Sequence, residues 1–343
     1  MTLLLEAEDV RRVLRMRECI DALAHVFEDL ADGRAVNRPR SHSYTDLGGG
    51  RHYLFKSMDG SYPAGGVHAL RLSSDLTHEH DGRRDKVAAA PGGRYVGLVL
   101  LFDVETLVPL AIVHDGYLQR MRVGATSALA ADRLARADAR VACVIGAGWQ
   151  AGAQILGLRE VRDLDEVRVW APTRAKLEAF CAEYDAVPAE SARAAFEGAD
   201  IVALATNAHQ PVLDAAWLEP GQHVGSVQGH ELDQATLERA DIVVVRSNER
   251  ATYHYAPGHA PLEALGHKSA AVEEVVELGE VVAGRAGRRS PDEITLFTGG
   301  STGASSGLGV QFAAVAAVVH LAARANGLGR ELPTEWFTQK EKP

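Results

Sequence analysis

Residues 144–156 read VIGAGWQAGAQIL, and the rest of the sequence is interpreted from this stretch. Gly146, Gly148 and Ala151 have the spacing G-x-G-x-x-A, directly after a strand-like run and directly before a helical one. In that context the first glycine permits a tight turn, the second lets the backbone approach a pyrophosphate, and the small third residue allows close packing of helix on strand. The stretch therefore predicts a dinucleotide-binding loop, against the alternative of a tight turn that binds nothing.

Around this loop, short apolar runs alternate with helical stretches. The strand candidates are VRVWA, DIVALAT, QHVGSV and DIVVV, and the helical stretches between them contain AKLEAFCAEY, ARAAFEGA and DQATLERA. This alternation is typical of repeated βαβ units. We therefore predict an α/β fold, with a Rossmann-type doubly wound parallel sheet over residues 125–309. An acidic and apolar helix is expected within it at residues 270–284.

The N-terminal part of the sequence has a different pattern. Apolar residues recur at helical spacing over residues 9–30, and short apolar runs separated by Gly, Pro and Asp predict an antiparallel sheet over residues 34–115. Within that sheet, residues 77–93 are expected to form a long polar loop, and an alanine-rich helix is expected from Ser127. Residues 1–124 with 310–343 are thus predicted to form an α+β substrate-binding and dimerisation domain.

The composition fits a packed globular protein, because 46% of the 343 residues are apolar and 24% are charged. Acidic residues outnumber basic ones 46 to 36 and the sequence has no long basic run, so nucleic acid is not an expected partner. The three cysteines lack C-x-x-C spacing, so neither a disulfide framework nor a zinc site is expected. This cysteine pattern fits a reducing cytoplasm. No export signal is expected, because the N-terminal residues lack both a basic region and a long apolar run. No membrane partner is expected either, because the apolar stretch at 310–323 is too short to cross a bilayer.

The second strand of the predicted parallel sheet lacks the acidic residue that usually binds the ribose of NAD at its end. In VRVWAPTRAKL, Thr173 and Arg174 stand there and can bind a 2′-phosphate through a hydrogen bond and a charge. These two residues favour NADP as the cofactor, with NAD as the other candidate. The alternative for Arg174 is a solvated side chain at the start of a helix.

Five stretches together resemble the ornithine cyclodeaminase and mu-crystallin family, which includes alanine dehydrogenases and ketimine reductases. They are RVGATSALAADRLA, VACVIGAGWQA, ADIVALATNAHQPVL, GQHVGSVQGHELD and LFTGGSTGAS, in the family's order and approximate spacing. The resemblance spans nearly the whole chain. It implies a homodimer in which the segment after the nucleotide domain returns to complete the N-terminal substrate domain.

The resemblance also implies roles for individual residues. The family's carboxylate-binding arginines match Arg40 in NRPRSHS and Arg122 before the alanine-rich helix, and a planar guanidinium can hold a carboxylate through two hydrogen bonds. For both arginines the alternative is a surface charge or an ion pair between domains. Thr206, at the end of DIVALAT, matches a contact to the cofactor ribose, with a structural strand-end threonine as its alternative.

At two positions the sequence departs from the family pattern. Arg71 in GGVHALRLSSD stands where the family has an active-site lysine, and arginine binds charge but does not exchange a proton near neutral pH. Lys56 in LFKSM is a further candidate for the substrate pocket, with a surface lysine as its alternative. The second departure lies in GSVQGHELD, where residues 226–228 replace the aspartate with which cyclodeaminases help to activate water.

Proton transfer and metal binding have one weak candidate each. His230 follows the altered segment and is the candidate proton donor, because imidazole titrates near neutral pH. Its alternative is a structural role at the start of the next helix. The sequence His78-Glu79-His80 lacks the ligand spacing of a zinc site, so no metal is expected.

Hydride transfer requires a bound cofactor, a carboxylate anchor and a proton donor, and the sequence offers a candidate for each. It therefore predicts an NAD(P)-dependent oxidoreductase that interconverts an imino acid and an amino acid. Arg40 and Arg122 are expected to hold the substrate carboxylate, and Arg71 either strengthens that anchor or holds a second acidic group. The alternatives are a cyclodeaminase that regenerates its bound cofactor and a mu-crystallin-like protein that binds nucleotide without turnover.

Overall fold

The computed structural model describes residues 1–80, 83–208, 210–247, 251–255, 262–265, 275–299 and 307–342, which form two β-sheets covered by helices. The helices are α1 (Ala7–Val13), α2 (Met16–Ala31), α3 (Asp115–Leu134), α4 (Trp149–Val161), α5 (Arg174–Tyr184), α6 (Ala192–Phe196), α7 (Gln234–Arg239), α8 (Leu278–Val282) and α9 (Gly309–Ala325). The strands are β1 (Thr2–Leu5), β2 (Val36–Asn37), β3 (Arg40–Gly48), β4 (Arg51–Tyr62), β5 (Val67–His80), β6 (Arg83–Val87), β7 (Val96–Asp103), β8 (Pro109–His114), β9 (Val141–Ile145), β10 (Glu166–Trp170), β11 (Val187–Pro188), β12 (Ile201–Leu204), β13 (His223–Ser226), β14 (Ile242–Val245), β15 (Ala251–Tyr255), β16 (Leu262–Leu265), β17 (Val276–Glu277), β18 (Thr295–Thr298) and β19 (Arg330–Leu332).

The first sheet has the strand order β16-β15-β3-β4-β5-β7-β8-β1-β19, with β2 beside β4 and β6 beside β5. Its neighbouring strands are antiparallel except for the parallel pairs β1–β8 and β15–β3. Helices α2 and α9 pack against each other, and α9 lies across β4 and β5. The apolar face of this sheet and these helices share one core, which includes Phe27, Leu101 and Phe312.

Strand β5 carries both core residues and charged residues on one face. Alternate side chains of a strand point to the same side, and on β5 the buried side begins with Val67 and Ala69. The same side continues with Arg71, Ser73 and Asp75, which are also buried. The buried face of β5 therefore extends from the apolar core into a cluster of polar groups.

The second sheet is entirely parallel and has the order β11-β10-β9-β12-β13-β18-β14-β17. Strand β9 lies between β10, which follows it in the chain, and β12, where the strand order turns to the other side. In a doubly wound sheet such a switch point opens a crevice at the carboxyl ends of the strands. The predicted α/β fold with a Rossmann-type sheet is confirmed.

Helix α3 connects the two sheets. Every residue from Arg120 to Ala131 is buried, because α3 packs against α2 and α9 on one side and against α4, β13 and β18 on the other. The helix crosses the predicted domain limit at residue 124. Strands β15 and β16 fall within residues 125–309 but join the first sheet, so the two structural layers do not divide the sequence at those limits.

Three predicted N-terminal features differ in the structure. The single helix over residues 9–30 is two helices preceded by a strand, because Leu14 is extended and buried while Arg15 N–H donates to the Glu18 carboxylate (3.3 Å) and so starts α2. Part of the polar loop at 77–93 is a hairpin, in which the end of β5 pairs with β6. The alanine-rich helix begins at Asp115 rather than Ser127, since its first turns carry polar residues that are buried by tertiary contacts.

The expected helix at 270–284 also differs from the structure over its described part. Val276 and Glu277 form strand β17 beside β14, and only Leu278–Val282 is helical. Residues 270–274 lie outside the described part of the chain. Pairing with a parallel strand outweighs the helical spacing here, which shows how tertiary contacts override a local pattern.

The approach of α9 to β4 gives a stability prediction. A β-carbon at Gly309 would overlap the backbone of Asp59, so Gly309→Ala forces α9 away from the sheet. We expect the free energy of unfolding in urea to fall by about 1–3 kcal/mol. The matched control is Gly116→Ala in α3, where an added β-carbon meets no atom within 4 Å and helix propensity is expected to raise stability by about 0.5–1 kcal/mol. A Gly309→Ala protein as stable as the wild type would contradict this packing.

Candidate functional site

The glycine-rich loop joins β9 to α4 at the switch point of the parallel sheet. Gly146 has a φ of +116°, and a β-carbon there would overlap the carbonyl oxygen of Ala205, so the turn requires glycine. Gly148 is the N-cap of α4, and a β-carbon there would meet no atom within 4 Å. Ala151 is fully buried in the core beneath the loop. An open space in front of the first N–H groups of a 13-residue helix suits a pyrophosphate.

The residues predicted to bind a 2′-phosphate lie at the start of α5. Thr173 is the N-cap of this helix, and Arg174 is its first residue. The Arg174 guanidinium is about half exposed and bonds to the carboxylates of Glu178 (2.6 Å) and Glu190 (3.3 Å). These two hydrogen-bonded carboxylates raise the pKa of Arg174. The guanidinium is accordingly at the predicted place, but in contact with two carboxylates that the motif itself does not reveal.

Thr206 belongs to a hydrogen-bond network around Glu231, a residue that no sequence motif singled out. One Glu231 oxygen accepts hydrogen bonds from the Thr206 backbone N–H (2.6 Å) and hydroxyl (2.8 Å). The other accepts from the Ser226 hydroxyl (2.9 Å) and from the N–H groups of Val227 (3.0 Å) and Gln228 (2.8 Å). Glu231 is fully buried. It thereby fixes the segments that follow β12 and β13, at the carboxyl edge of the parallel sheet.

Arg122 is the centre of a cluster of cations. Its side chain is completely buried in α3, and its Nε donates a hydrogen bond to Gln119 Oε1 (3.1 Å). Burial lowers the pKa of Arg122 well below its ordinary value, and the nearby charges of three other arginines lower it further. These arginines are Arg246, Arg40 and Arg71. The structure thus brings Arg40, Arg71 and Arg122 together, although they come from β3, β5 and α3.

Arg71 forms an ion pair that sequence reasoning missed. Its Nε and one terminal nitrogen lie 2.8 and 2.6 Å from the same carboxylate oxygen of Asp115, and both side chains are largely buried. A β-carbon at Gly97 would overlap this carboxylate, so glycine makes room for it. The ring of Phe312 lies against the guanidinium groups of both Arg71 (5.6 Å) and Arg122 (5.4 Å). The charge of Arg71 is therefore partly compensated within the protein.

Lys56 lies in a second group of charges around Asp75. The Asp75 carboxylate is buried and contacts Lys56 Nζ (3.5 Å), Lys86 Nζ (2.5 Å) and the Ser73 hydroxyl (3.1 Å). Burial lowers the pKa of Lys56, and Asp75 opposes the shift. The charges of the neighbouring cations, which include Lys86, lower it further. Lys56 is thus a partly buried lysine paired with Asp75 rather than a fully exposed side chain.

A cleft of about 710 Å³ lies between the cation cluster and the glycine-rich loop. Its lining includes Arg71, Asp115 and Gln119, and also Trp149, the first residue of α4. Its described lining includes neither Arg122 nor His230, but Gln119 connects the cleft to Arg122. Of the predicted substrate-binding residues, Arg71 lines the cleft, and Trp149 brings the start of α4 to its wall.

The predicted proton donor, His230, does not line the cleft. His230 is half-buried in the loop after β13, at the same edge of the parallel sheet as Thr206.

In the described ranges, no group of three or more His, Cys, Asp or Glu side chains is arranged to hold a metal ion. Within those ranges, none of the helices has the length and apolar character that a bilayer span requires. Residues 300–305 of the Gly/Ser-rich LFTGGSTGAS, and Ser306 after them, lie outside the described part of the chain.

Comparison with known proteins identifies the family. The sequence model of the "Ornithine cyclodeaminase/mu-crystallin family" matches residues 1–327. The chain belongs to this family. The resemblance found in the sequence motifs is thus confirmed over nearly the whole length.

Several of the similar proteins are named oxidoreductases, and a cyclodeaminase is also among the relatives. The chain is 34% identical over 249 residues to a Delta(1)-pyrroline-2-carboxylate reductase of Bacillus cereus, which covers 69% of this chain and 74% of the relative. The solved Delta(1)-pyrroline-2-carboxylate reductase of Thermococcus litoralis, in complex with NADH and L-proline, has a TM-score of 0.73 and 25% identity, and covers 96% of this chain and 100% of the relative. An archaeal alanine dehydrogenase dimer with bound NAD has a TM-score of 0.77 and 28% identity, with 97% and 99% coverage. The chain is accordingly an enzyme of the oxidoreductase class.

The Glu231 network gives a second prediction. Replacing Glu231 by Gln puts an NH2 group against N–H and O–H donors, so at least one donor loses its acceptor. We expect the free energy of unfolding in urea to fall by about 2–4 kcal/mol. The control is Glu238→Gln on the exposed side of α7, for which a change within about 0.5 kcal/mol is expected. Equal stability of the two variants would show that the network is not important for the fold.

Proposed function

We propose that this enzyme interconverts an α-imino acid and the corresponding amino acid, with NADP(H) as the preferred cofactor. The substrate carboxylate binds to Arg40 and Arg122, and Lys56 and Arg71 add positive charge around it. The two pyrroline-2-carboxylate reductases and the alanine dehydrogenase among its relatives support a substrate with this chemistry.

The convergence of arginines on Arg122 is the observation that carries this proposal. A fully buried guanidinium is already costly, and three further arginines close enough to lower its pKa increase the cost. A carboxylate that enters the cluster offsets this repulsion and gains charge-assisted hydrogen bonds. The arrangement is therefore suited to a small anionic substrate.

The residues of the glycine-rich loop fit a dinucleotide. Gly146 and Gly148 leave backbone N–H groups accessible at the start of α4, and the space in front of Gly148 is one that a side chain would fill. When bound, the reduced nicotinamide supplies a hydride to the imine carbon, while the C=N electron pair takes up a proton at nitrogen. Arg122 and Arg40 orient the substrate for this transfer, and His230 remains the proposed proton donor.

The carboxylate anchor gives a third prediction. We expect Arg122→Leu to reduce kcat/KM for imine reduction at least about 100-fold, because it removes charge-assisted hydrogen bonds to the substrate. The dissociation constant of reduced cofactor, measured by fluorescence, is expected to change less than about threefold. Arg122→Lys, which keeps the charge but not the planar fork, is expected to retain intermediate activity.

The exposed Arg324 of α9 provides the control for that experiment, as Arg324→Leu removes a cation outside the cluster. Arg324→Leu should leave kcat/KM for imine reduction and the dissociation constant of the reduced cofactor unchanged. If Arg122→Leu weakened cofactor binding as strongly as it weakened turnover, Arg122 would be part of the scaffold and the proposed anchor would be wrong.

The preference for NADP is the finer part of the proposal. Its support is the position of Thr173 and Arg174 at the end of the second strand and the start of α5. A 2′-phosphate there has to compete with Glu178 and Glu190 for the Arg174 guanidinium. The preference is therefore expected to be moderate, with NAD also accepted.

Substitution of Arg174 tests this preference. We expect Arg174→Ala to raise KM for NADPH about tenfold and to leave KM for NADH unchanged. The reason is that the 2′-phosphate, which NADH lacks, is the part of the cofactor expected to contact the guanidinium. Glu190→Gln, which removes a competing charge, is expected to lower KM for NADPH. Equal effects of Arg174→Ala on the two cofactors would refute the assignment of Arg174 to the phosphate.

A homodimer is the proposed assembly. The alanine dehydrogenase relative is a dimer, and the first sheet of this chain ends at the edge strands β16 and β19. The site itself suggests a small-molecule substrate as the other partner. Cytoplasmic location stays a proposal from the cysteine pattern.

A further inference from the structure

Two aromatic side chains stand exposed in the cleft beside the cation cluster. Trp149 is 52% exposed and Tyr95 is 59% exposed, and both line the cleft together with Val96 and Leu98. Large aromatic surface left in water is unfavourable, and in a concave site it is typical of a surface that binds a ligand. The apolar part of the cleft thus continues directly from its charged part at Arg71 and Asp115.

Cations hold both rings in place. The guanidinium carbon of Arg120 lies 4.1 Å from the centre of the Trp149 ring, and Arg120 Nε also donates to the Trp149 carbonyl oxygen (3.0 Å). A terminal nitrogen of Arg120 donates in addition to the Tyr184 hydroxyl (2.5 Å), so this guanidinium is itself fixed. Lys86 Nζ lies 5.2 Å from the centre of the Tyr95 ring. The rings are therefore ordered before a ligand arrives, which lowers the entropic cost of binding.

The size of the cleft points to a large substrate side chain. Its volume of about 710 Å³ lies within the range of about 300–1,000 Å³ that is usual for drug-sized ligands. The cleft leaves room for a flat aromatic side chain that stacks against the exposed ring of Trp149 or Tyr95, while the substrate carboxylate extends towards Arg71.

We propose that the substrate is an imino acid with an aromatic side chain, and that Trp149 and Tyr95 are the residues that select it. This inference rests on the proposed function, because it describes the same site. Neither residue takes part in the chemical step. Trp149 is also the first residue of α4, so their effect is read in the choice between substrates, as a ratio of two kcat/KM values to which cofactor binding contributes equally.

The test compares two imines formed in solution, from phenylpyruvate with ammonium and from pyruvate with ammonium. Oxidation of NADPH gives kcat/KM for each, in wild type and in Trp149→Ala, Tyr95→Ala and Trp336→Ala. Wild type is expected to prefer the phenylpyruvate imine. The ratio of the two kcat/KM values is expected to fall at least about tenfold in either cleft variant, since each loses an aromatic contact. Trp336, which is 71% exposed in the segment Thr334–Phe337, is the matched control and should leave the ratio unchanged.

A binding measurement separates this inference from the proposed function. Calorimetry with the NADP⁺-loaded enzyme compares L-phenylalanine with L-alanine and needs no turnover. Tighter binding of L-phenylalanine that is lost in both cleft variants supports the selection of an aromatic side chain by Trp149 and Tyr95, and equal binding of the two amino acids would overturn it. Failure to reduce either imine would instead contradict the proposed function. Reduction of the pyruvate imine with a ratio unchanged by Trp149→Ala and Tyr95→Ala would keep the proposed function and overturn the inference.

Discussion

The burial of the Arg122 charge is the constraint on which the architecture of this site depends. A guanidinium without exposure to water is stable only where protein groups surround it, and here Gln119, the Phe312 ring and the other arginines define its environment. Those groups come from two helices and several strands that are distant in sequence. The first sheet, α9 and α3 therefore have to be assembled before the cation cluster exists.

Close contact between α3 and α4 links this cluster to the nucleotide loop. A β-carbon at Gly124 would overlap the backbone of Ala153, and one at Gly157 would lie 2.8 Å from the β-carbon of Ala128. Two glycines thus let the helix that carries Arg122 touch the helix that begins at the glycine-rich loop. Since helices so close cannot slide without clashes, the proposed carboxylate site and the proposed pyrophosphate site have a fixed separation. A hydride transfer between substrate and cofactor needs such a fixed geometry.

Local sequence patterns were enough to predict the parts of the structure that depend on short-range interactions. The turn at Gly146 needs a positive φ and the parallel strands need apolar runs, and both are visible in single stretches of sequence. The partners of the predicted charges were not predictable in this way. Asp115 meets Arg71 across 44 positions and Glu231 meets Thr206 across 25, so only the tertiary fold brings them together. The early start of α3 was missed for the same reason, because its first turns are polar.

The Glu231 network also bears on the choice between reductase and cyclodeaminase. A carboxylate that activates water needs a lone pair free to take a proton, and the altered segment 226–228 supplies no such group. Glu231 is the carboxylate nearest to that segment in sequence, yet its two oxygens accept five hydrogen bonds from the protein, three of them from residues 226–228 themselves. Those five bonds engage both oxygens and give Glu231 a structural role. Imine reduction, which needs a hydride and one proton but no activated water, is therefore the reaction that this arrangement of residues favours.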